Sequence, residues 1–229
     1  MRLPRFRPVS APRSVFTRYA VTRYAVAWTF LAGVAIGDIV LATLSARQEA
    51  ELLRLASTNV TNLTHDPIAV IVASAYLPQA SLLAWLVLIP LAMFGANRAL
   101  GNWRTALVCA AGHVIGTLAS EGIQAYRVVH NLLPHSAGTI IDVGPSYVVI
   151  SAVVVAVLVG SWPARLAALA DLAILVFVGH IFSGLTSLDV AAVGHLTAMA
   201  VAAILSGLLA ALRRHGSAVT AAQLASTAT

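Results

Sequence analysis

Apolar runs alternate with short polar segments along almost the whole chain. They cover roughly residues 22–45, 78–97, 103–122, 145–162, 165–184 and 190–212. Each approaches the ~20 residues a helix needs to cross the hydrocarbon core, so the pattern predicts six transmembrane helices. A seventh apolar stretch, residues 67–77 (PIAVIVASAYL), is too short to span; it is expected to lie at the interface or to dip into the bundle. Pro90 falls inside the second run, where neighbouring helices can satisfy the carbonyl it frees. No internal repeat is visible, which removes the main support for an inverted-repeat transporter. The domain organisation read from this pattern is a basic N-terminal segment (1–21), a helical membrane domain (22–213) and a small, polar tail (214–229) expected to be disordered.

Composition strengthens the membrane assignment. The chain is 59% hydrophobic and 10% charged, and its mean hydropathy is +0.89. No soluble domain of this length has a core large enough to bury so much apolar sequence. The fold class expected is therefore all-α, a polytopic bundle in the lipid bilayer. The basic residues number 14, every one an arginine, against 8 acids. They cluster at the ends of apolar runs, so membrane orientation accounts for them and no nucleic-acid partner is expected. If Arg2, Arg5, Arg7, Arg13, Arg18 and Arg23 are cytoplasmic, then Arg98, Arg104, Arg165, Arg213 and Arg214 fall on the same side. Arg47, Arg54 and Arg127 fall outside with Glu49, Glu51, Asp66, Asp142 and Asp189. This puts both termini in the cytoplasm and residues 46–66 and 123–143 outside the cell membrane. The first run, interrupted at Gly37-Asp38, reads as a transmembrane helix rather than a cleaved signal. A single cysteine, Cys109, leaves no disulfide framework or cysteine metal site.

Candidate chemistry begins at IDVGPSYVVIS, residues 141–151. Pro145 suits the first turn of a helix, and Asp142 or Gly144 is placed to cap it. Ser146 then lies among the unpaired N–H groups of a helix N-terminus, the environment a developing oxyanion needs. An isolated serine there is more often just a small residue at a helix start, so the histidines matter. His65, His130, His135 and His215 fall in loops or the tail, whereas His113, His180 and His195 fall within predicted spans. His195 is followed by small residues, with Gly194, Ala198, Ala202 and Ser206 at four-residue intervals. That stripe turns it toward a closely packed helix and away from lipid. Ser146 heads the fourth span and His195 lies a little way into the sixth. Both spans enter from outside, so at ~1.5 Å per residue the two side chains share a depth. A Ser–His dyad is geometrically open. Asp142 reads as a capping or interface carboxylate ahead of a triad member. Asp38, Asp171, His113 and His180 read chiefly as structural hydrogen-bonding groups; a proton path or a His–carboxylate metal site is the alternative. No cofactor and no metal are expected.

In these features the chain resembles the rhomboid intramembrane serine proteases, whose six-helix core carries a Gly-x-Ser-Gly motif heading the fourth helix and a histidine in a small-residue-rich sixth. GPSY (144–147) matches the first motif through the serine, and GHLTAMAVAAILSG (194–207) looks like the second. Residues 72–104 look like the second rhomboid helix and the loop after it, and the likeness spans most of 25–212. With its lysine-free, alanine-rich composition the chain looks like a divergent actinobacterial rhomboid-like protein of the bacterial inner membrane. The resemblance implies a serine hydrolase in which Ser146 attacks and His195 is the base, with Gly144 and Tyr147 as oxyanion or supporting positions and transmembrane proteins as substrates. Two departures stand out. The His-x-x-x-Asn of the second rhomboid helix aligns with Ala84 and Leu88, which cannot donate, and Tyr147 replaces the glycine after the serine. These leave open a rhomboid pseudoprotease that binds transmembrane clients without cutting them. A small transporter or ion pathway through His113, His180 and Asp171 is the third alternative.

Overall fold

The computed structural model describes residues 21–79 and 81–226, with side chains as far as Leu212. The basic segment expected at 1–21 lies almost wholly outside the described residues. Among the described residues nine α-helices have defined bounds: α1 (Ala25–Thr43), α2 (Ala46–Ala56), α3 (Val60–His65), α4 (Pro67–Ser74), α5 (Leu82–Leu100), α6 (Asn102–Val129), α7 (Ser146–Val159), α8 (Trp162–Phe177) and α9 (Val190–Ser226). There is no strand among the described residues. Helices α1, α5, α6 and the part of α9 up to Leu212 are long and apolar enough to cross a membrane, and α7 is a shorter apolar helix.

Helix α7 is the axis of the bundle, packed against α5, α6, α8 and α9. Every residue from Tyr147 to Ala156 is buried. Its sequence, SYVVISAVVVAVLV, is dense in β-branched residues that would favour a strand in water. Surrounded by other helices and lipid, its backbone can satisfy itself only along its own axis, and helix wins. The helices around it approach closely where side chains are small. A Cβ at Gly112 of α6 would collide with Ser151 Oγ of α7, and one at Gly116 would sit 2.9 Å from the Gly194 carbonyl of α9. Gly194, Ala198, Ala202 and Ser206 are all buried, so the stripe on α9 meets close partners as its spacing predicts.

The chain between α1 and α5 folds into three short helices, the last of them formed by most of the short apolar stretch at 67–77. A capping box between Ser45 and Gln48 starts α2. Leu52 and Leu53 of α2 pack on a small cluster of Leu41, Ala56 and Leu77, while its polar face carries the exposed Glu51–Arg54 pair. The PIAVIVAS part of the short apolar stretch forms α4, capped by the Asp66 carboxylate on the Ala69 N–H at 3.1 Å.

Three helices differ from the apolar runs that predict them. α6 continues to Val129, beyond the expected 122, because polar groups of its last turns find partners in loops later in the chain: Gln124 Nε2 donates to the Ala137 carbonyl at 3.0 Å and an Arg127 amine to the Ser187 carbonyl at 2.9 Å. α8 ends at Phe177 instead of 184. The sequence VGHIFSG that follows is apolar, but its glycines release the helix: the Gly179 N–H reaches back to the Ile174 carbonyl and His180 takes φ +50°. α9 is helical to Ser226, through the residues read as a disordered tail.

Candidate active site

The backbone before Ser146 is fastened on three sides. The Gly144 N–H donates to the Ser74 carbonyl at 2.9 Å at the end of α4. The Asp142 N–H donates to Ser57 Oγ at 2.9 Å, and the Asp142 carbonyl accepts from the Thr58 N–H and hydroxyl, both at 3.0 Å. Gly144 has φ +142°, a conformation that side-chain-bearing residues rarely adopt, and the chain turns there into the helix. Pro145 is therefore the N-cap residue and not, as expected, the first helical one; Ser146 opens α7. No side chain caps this helix, which corrects the capping role expected of Asp142. Its carboxylate accepts instead from the Tyr147 hydroxyl at 3.3 Å and from the Thr58 hydroxyl at 3.4 Å. Burial, helped by the nearby Asp189 charge and opposed by those two hydrogen bonds, pushes its pKa up to about 6. The α7 hydrogen-bond ladder begins at the Val149 N–H, so the first-turn amides of Ser146, Tyr147 and Val148 lie outside it.

His195 lies in the second turn of α9 and is 5% exposed. Its Nδ1 is 3.1 Å from the Ile181 carbonyl. A carbonyl only accepts, so Nδ1 carries the proton and Nε2 presents its lone pair. That Nε2 is buried without a hydrogen-bond partner. Tyr147 fixes the ring from the side, edge-on with centroids 4.9 Å apart, while its hydroxyl lies 3.3 Å from both Asp142 Oδ2 and the Val190 carbonyl. Tyr147 thus turns inward against the histidine. Asp189 begins α9, accepting the Ala191 N–H at 3.1 Å.

Ser146 and His195 line one cavity of about 740 Å³ between α5, the start of α7, the loop after α8 and the start of α9. Its walls include Gly144, Asp142, His180 and Asp189, with Ala84, Trp85 and Leu88 from α5. No hydrogen bond joins Ser146 to His195. A family model described as rhomboid-like protein matches residues 18–214. The chain belongs to the rhomboid-like protein family. No curated protein and no solved structure matches it. It is an integral membrane protein, with four apolar helices of spanning length.

In this rhomboid-like protein the two residues aligned with missing donors, Ala84 and Leu88, both face the Ser146 cavity. The other intramembrane polar groups do not gather there. His113 lines a separate apolar cavity of about 420 Å³ between α1, α4 and α6, with its Nε2 2.8 Å from the Ile71 carbonyl. Asp171 is fully enclosed, and neither of its oxygens has a partner. His180 is not in a span at all but in the loop after α8. No group of three His, Cys, Asp or Glu side chains able to hold a metal forms among the described residues. Several parts of the site carry no side-chain signature in the sequence: the Ile181 carbonyl that orients His195, and the Ser57, Thr58 and Ser74 contacts that hold the 140–144 loop.

Proposed function

We propose that this rhomboid-like protein is an intramembrane serine protease that cleaves transmembrane segments of other membrane proteins near the outer face of the cytoplasmic membrane. Six spans are proposed, adding α7 and α8 to the four long helices, with both termini in the cytoplasm. The observation that supports the reading is the shared cavity, which Ser146 and His195 both line, together with a histidine tautomer that leaves the buried Nε2 without a partner and able to accept a proton. Ser146 Oγ attacks the peptide carbonyl while His195 Nε2 takes its proton. The tetrahedral intermediate collapses as the imidazolium gives that proton to the leaving amine. Water arriving from the outer side then hydrolyses the acyl-enzyme by the same steps in reverse order. The first-turn amides of α7 and the positive end of its dipole supply stabilisation for the oxyanion. A serine-directed fluorophosphonate tests the reading in native membranes. The wild type is expected to label, and Ser146→Ala and His195→Ala to lose the label. A well-folded wild type that never labels would refute it.

One observation favours a second reading, a pseudoprotease that holds transmembrane clients in the same cavity. Ala84 and Leu88 present no donor to it, and removal of one oxyanion donor typically costs ~10²–10³ in rate. In that case Ser146→Ala retains client capture and no variant produces fragments.

A further inference from the structure

The wall of the Ser146 cavity contributed by α5 holds one buried donor with no acceptor. Trp85 is buried and lines the cavity with Ser146 and His195; its indole Nε1 is enclosed without a hydrogen-bond partner. Indole N–H only donates, and a buried indole N–H ordinarily has an acceptor. Its position fits the other two groups. Trp85 lies in the first turn of α5, on the face that also buries Leu88, Ile89 and Ala92. Helix α5 packs directly on α7. With ~1.5 Å rise per residue, Trp85, Ser146 and His195 all lie within about two turns of the same ends of their helices. In and just behind its walls the cavity therefore gathers a hydroxyl, an imidazole lone pair and an indole N–H, none of them with a hydrogen-bond partner within the protein. A peptide bond under attack supplies what each lacks: an electrophilic carbon, the hydroxyl proton released by the attack, and an oxygen that gains negative charge.

We propose that the Trp85 indole N–H donates to the carbonyl oxygen of the bound peptide and is an oxyanion donor of this protein. The proposal rests on the serine protease reading. It answers the absence of donors at Ala84 and Leu88 with a donor from the adjacent position on the same helix. Gln79 also lines the cavity, but it is exposed. Water competes for its amide, whereas a dry N–H acts at full strength on a developing charge.

The test uses the full chain in proteoliposomes. The rate constant for fluorophosphonate labelling of Ser146 is measured together with cleavage of a single-span substrate. Trp85→Phe keeps an aromatic ring and loses the N–H; labelling and kcat are expected to fall ~10²-fold or more, with KM little changed. Trp85→His alters the shape more but retains a ring N–H, and is expected to keep more of the rate than the Phe variant. Leu88→Asn in the Trp85→Phe background is expected to recover part of the loss. A folding defect would rank the Phe variant above the His variant and would not be rescued by a new donor, so that ranking without rescue overturns the proposal. Labelling of Trp85→Phe at the wild-type rate overturns it alone. A stable wild type that never labels removes the serine protease reading, and the Trp85 role with it.

Discussion

Asp142 shows how a residue's surroundings, more than its type, set its behaviour. Its carboxyl is held at about 6 by burial and by Asp189, against the pull of Tyr147 and Thr58. The native state therefore binds a proton more tightly than the unfolded chain, where a carboxyl titrates near 4. Stability from this group is complete below the unfolded value and is lost as pH rises through 6. Its share of the decline in thermal stability in detergent between pH 4 and pH 7 should be no more than ~3 kcal/mol. Asp142→Asn should flatten that decline, and an unchanged slope in the variant would place its source elsewhere. Residue type and spacing made Ser146 and His195 legible, because a serine behind Gly-Pro and a histidine on a small-residue stripe are both unusual in apolar sequence. The resemblance marks Tyr147 as a supporting position but does not give the contact it makes. Its contact with His195 depends on the rotation between α7 and α9, which no local pattern encodes. The Ile181 carbonyl was hidden more deeply still, since every residue has one.

At the scale of the helix, hydropathy located the long elements well and their ends poorly. It measures preference for lipid, and VGHIFSG after α8 is apolar without being helical. The error had a functional cost, because the loop that replaces the missing helical turns supplies the partner of His195 Nδ1. Valine-rich α7 was placed correctly by its length and its Gly-Pro start, where soluble propensities would have pointed to a strand. Its close approach to Gly112 of α6 sets a packing test. Gly112→Ala gains about 1 kcal/mol of helix propensity but drives a methyl group into Ser151 Oγ. Overpacking of this kind costs ~1–3 kcal/mol, so net destabilisation is expected by thermal or denaturant unfolding. Ser151→Ala should relieve part of it, since the remaining Cβ would be 3.1 Å away. A double-mutant cycle with no coupling between the two positions would show that the helices separate freely there.

For the whole molecule, the arginine distribution carries the orientation. Reporter fusions are expected to place the C-terminus in the cytoplasm and residues 46–66 and 123–143 outside. A C-terminal reporter active outside would reverse the membrane and put the Ser146 cavity at the opposite face. The clasp around the 140–144 loop has a consequence in time. Thr58 and Asp142 are 84 residues apart in the chain, and Ser57 and Asp142 are 85. His195 is later still in the chain. During synthesis the segment between α1 and α5 emerges first, and contacts of such long range form only after the intervening helices are made. Ser146 is thus seated by a segment made long before it and completed by one made long after. A partly synthesised chain carries Ser146 without His195, and the cavity that both line is complete only when the last helix is in place.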